Sequence, residues 1–165
     1  MKSKFKNHYY LYNILLSLSR NIFFYKKVSL PDTFETRIYL MFFHFSIFLM
    51  INKKKKSKFD QNEYDYLFFN IENNLRESGL GDVTVNKKMK EFNKILYDIL
   101  LKLNSETKND KFIVSEKLLK SYFSSLNNNQ GEKLTILKEY LHKFYNFCFD
   151  KPLDNMIREA INFKY

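Results

Sequence analysis

His, Cys and paired carboxylates are the residues here that enzymes most often use, and their spacing decides whether they can act together. His44 stands in the most apolar stretch of the chain, and neither a second His nor a carboxylate falls three or four residues from it. A helix would therefore bring it no partner for metal ligation or proton transfer, and it reads as a core histidine. The other two histidines, His8 and His142, are far apart in sequence, and the single cysteine, Cys148, sits between Phe147 and Phe149, where a thiol serves as a small apolar filler. Glu72 with Glu77, and Asp60 with Glu63, lack a neighbouring His and read as solvated helix faces. One Cys and three His supply neither a disulfide framework nor a clustered zinc site, and three Gly are too few for a phosphate-cradling loop. The expectation is a protein that is not an enzyme and uses no metal and no cofactor.

Without a reaction to position, the remaining question is what the chain builds. Its 165 residues are one domain's worth, with 45% apolar types including 18 Phe and 12 Tyr, too apolar for a disordered chain. With only three Gly and two Pro, the tight turns of a β-sandwich or barrel are lacking. The expected fold is all-α, a compact single-domain bundle of about seven helices over residues 1–165. Lys and Arg number 28 against 18 Asp and Glu, a net charge of +10. Such a balance permits attraction to an anionic membrane surface or to nucleic acid, within about 8–10 Å at ordinary salt. Lys87-Lys88-Met89-Lys90 is basic, but the aromatics near it face the core by spacing, so nucleic acid is not the expected partner.

Helical spacing recurs along the sequence. Leu11, Leu15, Leu18 and Ile22 predict a first helix over roughly residues 8–25, stopped by Val28 to Pro31. Asp32 is placed to cap a second helix, with Glu35 closing a capping box. That helix is apolar all round and belongs in the middle of a bundle. Tyr64, Phe68, Ile71 and Leu75 mark a third, with Gly79 ending it in a left-handed turn. Asp82 or Thr84 is placed to cap a fourth, whose Val85, Met89, Phe92, Leu96, Ile99 and Leu103 hold a 4-3-4-3-4 spacing. Phe112, Leu119, Phe123 and Leu126 predict a fifth ending in Asn127 to Asn129. Leu134, Leu137, Leu141, Phe144 and Cys148 predict a sixth, and Pro152 opens a short last helix.

Two segments bear on membranes. Met1 to Lys6 with the apolar stretch after it lacks the cleavage site of a secretion signal, and no Arg- and Ser-rich transit segment is present. The run Ile38 to Ile51 is fourteen residues, short of the about 20 a span requires. It reads either as a central core helix or as one that also touches lipid or an apolar partner. Lys53, Lys54, Lys55, Lys56 and Lys58 form a basic linker over residues 53–58, expected to bury nothing; a solvated connection and a membrane-surface contact both fit it.

Two blocks of residues taken in order resemble the ubiquinol-cytochrome c chaperone family. The first is Phe24-Tyr25, Val28, Leu30-Pro31-Asp32-Thr33, Arg37 and a Phe-rich helix containing His44. The second is Phe68-Phe69, Leu75-Arg76-Glu77, Gly79, Gly81-Asp82, Val85, Lys87 and Met89-Lys90, similar in order and spacing to that family's Leu-Arg-Glu-x-Gly-x-Gly-Asp run and its sequel. The likeness covers roughly residues 9–163. Two departures stand out: the family's Arg-Phe-Asp is here Arg37-Ile38-Tyr39, and its Gly-Arg after the fourth-helix Tyr is here Asp98-Ile99.

The resemblance implies an assembly factor for the cytochrome bc1 complex that binds newly made cytochrome b or other bc1 subunits, with a small partner assembly protein in some members. Without a transit segment, the expectation is a bacterial protein, cytoplasmic and peripheral to the inner membrane. Phe42, His44, Phe45, Arg76, Glu77, Gly79, Gly81, Asp82, Lys87 and Lys90 are the candidate client contacts that follow from it, and Lys53 to Lys58 the candidate membrane contacts. The Gly79 to Asp82 turn equally fits plain helix-to-helix geometry, and Arg76 with Glu77 equally fits an internal ion pair. The alternative class is a peripheral membrane or RNA-binding helical protein with no client of its own.

Overall fold

A computed structural model of the chain describes the backbone of residues 2–128 and 130–165, and side chains from Tyr10 onward apart from Asn129. The Met1 to Lys6 side chains, and Asn129 at the expected end of the fifth helix, lie outside the described residues. The helices are α1 (Lys2–Ser19), α2 (Ile22–Lys26), α3 (Phe34–Lys54), α4 (Gln61–Glu77), α5 (Asp82–Glu106), α6 (Glu116–Tyr122), α7 (Gly131–Phe149) and α8 (Leu153–Ala160), with a 3-10 turn at Ser124–Leu126 between α6 and α7. Among the described residues there is no strand, as the all-α expectation requires.

The expected first helix is two. Ser19 donates its hydroxyl to the Leu16 carbonyl at 2.8 Å, and the Asn21 side chain accepts from the Phe23 N–H at 3.1 Å to start α2. Tyr25 then donates to the Ser19 carbonyl at 2.6 Å, folding α2 back on the end of α1. The cap of α3 also differs from expectation. Thr33 stands directly before the first helical residue and accepts from the Thr36 N–H at 3.2 Å. Asp32, one residue too early to cap, instead accepts from Arg37 Nε at 2.9 Å and Nη2 at 2.5 Å. Glu35 does not turn back to close a box; its carboxylate lies 3.7 Å from Lys88 Nζ on α5.

α3 is the axle of the fold. Thirteen of its 21 residues are buried, among them Phe42, Phe43, Phe45 and Phe48, and α1, α5 and α7 pack around it. It is long and apolar enough to cross a bilayer, yet 72% of its apolar window lies inside the protein. The core-helix reading of the Ile38 to Ile51 run is therefore the one realised in this fold. Ser46, also on α3, is buried with its hydroxyl oxygen bonded to nothing among the described residues, a local weakness in an otherwise satisfied interior.

The spacing argument holds best on α5, where Val85, Phe92, Leu96, Ile99 and Leu103 are all buried and Met89 lies at the edge of the core. On α4, Phe68 stacks on Phe42 with ring centroids 5.7 Å apart, and Tyr64 stacks on Phe68 at 4.7 Å. The expected fifth helix is shorter than the spacing implied. Phe112 and Val114 are buried, but on the irregular stretch before α6, which Ser115 caps by accepting from the Leu118 N–H. Pro152 stands just outside α8, at its cap.

The Lys53 to Lys58 run is not the inert linker expected. Lys53 and Lys54 belong to α3, and Lys54 pairs with Asp110 at 2.7 Å. Lys55 caps the far end of α7: its ammonium donates to the Phe149 carbonyl at 2.6 Å and the Lys151 carbonyl at 2.8 Å, and lies 4.9 Å from the centre of the Phe149 ring. A cation there meets the negative end of the α7 dipole and its unpaired carbonyls, which offsets the repulsion within the run.

Candidate functional site

Seven of the ten candidate client contacts gather where α4 hands over to α5, and all seven are exposed: Arg76, Glu77, Gly79, Gly81, Asp82, Lys87 and Lys90. The corner is made by Gly79, whose φ of +93° is the left-handed region that side chains resist. Gly81 then stands at the cap of α5 in extended conformation, where the sequence pointed to Asp82 or Thr84. Asp82 is instead the first helical residue, well placed for its negative charge to meet the positive end of α5.

Arg76 closes the corner. Its guanidinium donates from Nη1 to the Asp82 carboxylate and from Nη2 to Glu72 at 3.0 Å, so one side chain ties the last turn of α4 to the first of α5. Asp82 foremost, and Glu72 with it, raise the Arg76 pKa above its ordinary value. Of the two readings of Arg76 with Glu77, the internal ion pair does not form: the two residues are adjacent and project from different sides of α4, which leaves Glu77 facing solvent.

Phe42, His44 and Phe45 do not join this corner. All three are fully buried on α3, so the expectation that they meet a client directly is corrected: their exposed area is zero, and their partners are other helices of the same chain. His44 is held between the Leu40 carbonyl and the Tyr140 hydroxyl, and burial lowers its pKa to about 4. Cys148 is likewise buried, its thiol pushed up to about 12 by desolvation, which keeps it protonated and unreactive.

The two departures from the family pattern come together in space. The Tyr39 ring lies 5.3 Å from that of Tyr122, and the Tyr122 hydroxyl donates to the Asp98 carboxylate. Tyr39 and Asp98 are thus joined through one residue of α6, a contact that no local pattern in the sequence carries.

A cavity of about 470 Å³ also went unread in the sequence; it lies between α1, the start of α4 and α8, with Tyr10, Phe59, Glu63, Asp154, Ile157 and Arg158 on its walls. Glu63 there is half-buried, and desolvation, with Asp60 beside it, raises its pKa to about 7. Its lining mixes both signs of charge with apolar groups. Among the described residues no group of His, Cys, Asp and Glu is arranged to hold a metal ion.

The corner is an exposed loop tied across by Arg76 and followed by Lys87 and Lys90, which pair with no carboxylate among the described residues. No curated protein and no solved structure matches the chain. A family description, ubiquinol-cytochrome C chaperone, matches residues 26–158 of the 165 and so takes in α3 to α7 and the whole corner. The chain belongs to the ubiquinol-cytochrome C chaperone family.

Proposed function

We propose that this protein is a non-enzymatic assembly factor for the cytochrome bc1 complex, which holds newly made cytochrome b at the cytoplasmic face of the inner membrane. The family match over residues 26–158 is the observation that carries this reading. The α4–α5 corner supports it physically. Gly79 sets the direction of the turn and Arg76 bridges α4 and α5 across it, so the exposed loop already has a defined course when a client docks. The buried aromatics of α3 give the corner a stiff base rather than a contact surface.

The test is co-purification of cytochrome b with the tagged protein, together with the level of mature bc1 complex in a deletion strain. Recovery of cytochrome b and loss of the complex are expected; a normal complex level in the deletion strain overturns the proposal. A partner assembly protein, where one exists, is expected in the same eluate. The alternative, a peripheral membrane or RNA-binding protein without a client, predicts binding that falls steeply with salt and ignores substitution of Gly81.

A further inference from the structure

The outward side of α5 carries a second stripe, parallel to the buried one. Val83, Lys87, Lys90, Lys94, Tyr97 and Leu101 follow one another at 4-3-4-3-4 spacing, and all six are exposed. They run about 27 Å along the helix at 1.5 Å per residue. Val83 is 84% exposed and Leu101 70%, while Tyr97, 60% exposed, reaches back so that its hydroxyl meets that of Tyr64 on α4 and its ring edge faces outward. Phe69, 55% exposed, adds to them from α4. It lies three residues before Glu72 on the edge of α4 that Arg76 ties to α5.

The three lysines of the stripe are unpaired, although Asp65 and Glu72 flank Phe69 on the neighbouring edge of α4. Among the described residues no carboxylate lies within ion-pair distance of Lys87, Lys90 or Lys94. The acids of α5 are engaged elsewhere: Asp82 with Arg76, Asp98 with Lys102 and Tyr122, Glu106 with Ser115, and Glu91 on the Tyr39 side. The face is the outer surface of helices, and the 470 Å³ cavity described above includes none of these seven residues.

From these observations we infer that the outer face of α5, with Phe69 of α4, is a docking surface for an anionic lipid bilayer. Three unpaired Lys flanked by Val83 at one end and by Tyr97 and Leu101 at the other, with Phe69 on α4, suit the headgroup region, where rings and aliphatic groups sink below the phosphates that the ammonium groups meet. A deformable interface takes in apolar side chains set apart at the two ends and the edge of such a stripe without matching pockets, and its phosphates complement the three lysines between them. The inference deepens the membrane-peripheral part of the reading above and moves it from the Lys53 to Lys58 run, part of which is engaged within the fold, to α5.

The test is flotation of the full chain with vesicles of phosphatidylglycerol and phosphatidylcholine, beside phosphatidylcholine alone. The wild type is expected to float with the anionic vesicles. Lys87→Gln, Lys90→Gln and Lys94→Gln together are expected to lower affinity about a hundredfold, at about 1 kcal/mol for each lysine. Phe69→Ser with Leu101→Ser, which leaves the charge unchanged, is expected to lower it about tenfold. Lys53→Gln, Lys56→Gln and Lys58→Gln together remove the same charge elsewhere and are expected to change it less than threefold. Circular dichroism confirms that each variant is folded. An equal loss in the two lysine triples, or an unchanged affinity in the Phe69 and Leu101 variant, reduces the effect to net charge and overturns the proposal. Full vesicle binding by the Lys87, Lys90 and Lys94 triple together with lost recovery of cytochrome b also overturns it, and assigns the face to the client. Vesicle binding without recovery of cytochrome b from the wild type leaves the docking surface standing and defeats only the client reading.

Discussion

The ring of His44 on α3 is bonded on both sides, Nδ1 donating to the Leu40 carbonyl at 2.6 Å and Nε2 accepting from the Tyr140 hydroxyl on α7 at 2.8 Å. A carbonyl can only accept, so Nδ1 carries the proton, and in the neutral ring Nε2 must then accept. This pair links two helices 96 residues apart in sequence at a point where both side chains are buried, amid the rings of Phe24 and Phe144.

Acid should therefore loosen the protein through His44. Its folded pKa of about 4 lies below the 6.5 of the free side chain, so between those values the unfolded chain binds the extra proton. The contribution of His44 is full above pH 6.5 and falls as the pH drops towards 4, by on the order of 3 kcal/mol in all. Denaturant midpoints of the wild type and His44→Leu, compared at pH 7 and pH 5, check this: the difference between the two proteins should shrink or reverse at pH 5. Tyr140→Phe, which strands Nε2 without a donor, should cost about 1–3 kcal/mol at pH 7.

Gly79 and Gly81 should part company under substitution. A methyl group at either position meets no atom within 4 Å, so space is not the issue. Gly79 has φ +93° and Gly81 has φ −74°, so Gly79→Ala should lose about 1 kcal/mol or more to backbone strain, while Gly81→Ala should stay within about 0.5 kcal/mol of the wild type. Thermal melts measure both. A Gly81→Ala protein that melts normally but assembles little bc1 complex would locate the client at this turn.

Lys55 should stand apart from its neighbours. Lys55→Met keeps the length of the stem and removes two hydrogen bonds to carbonyls and the contact with the Phe149 ring, a loss of about 1–3 kcal/mol. Lys53→Met and Lys56→Met, with no such bonds, should shift the denaturation midpoint little.

What could be read in the sequence follows the range of the interactions involved. The stripe on α5, the burial of α3 and the left-handed Gly79 depend on residues a few positions apart, and periodicity with turn chemistry finds them. The Lys55 cap of α7 spans 94 residues, and the run of like charges around it points the other way. The choice of Thr33 over Asp32 as cap turns on a single residue of helix phase. At the candidate site, the order of Arg76, Gly79, Gly81 and Asp82 was legible, but which acid Arg76 takes was not, because Glu77 adjoins it in sequence and Asp82 adjoins it in space. Family likeness alone drew attention to Phe42 and Phe45; their position on an all-round apolar helix already argued for the interior.

The character of α3 has a cost during synthesis. As it leaves the ribosome it is a 21-residue segment that meets the length and hydropathy requirements of a membrane anchor, while α5 and α7, which later enclose it, have yet to be made. At about 5–20 residues per second that interval lasts on the order of ten seconds. Until those later helices close around it, length and hydropathy alone do not distinguish α3 from an anchor, and it is the packing of α5 and α7 against it that turns the segment into a core.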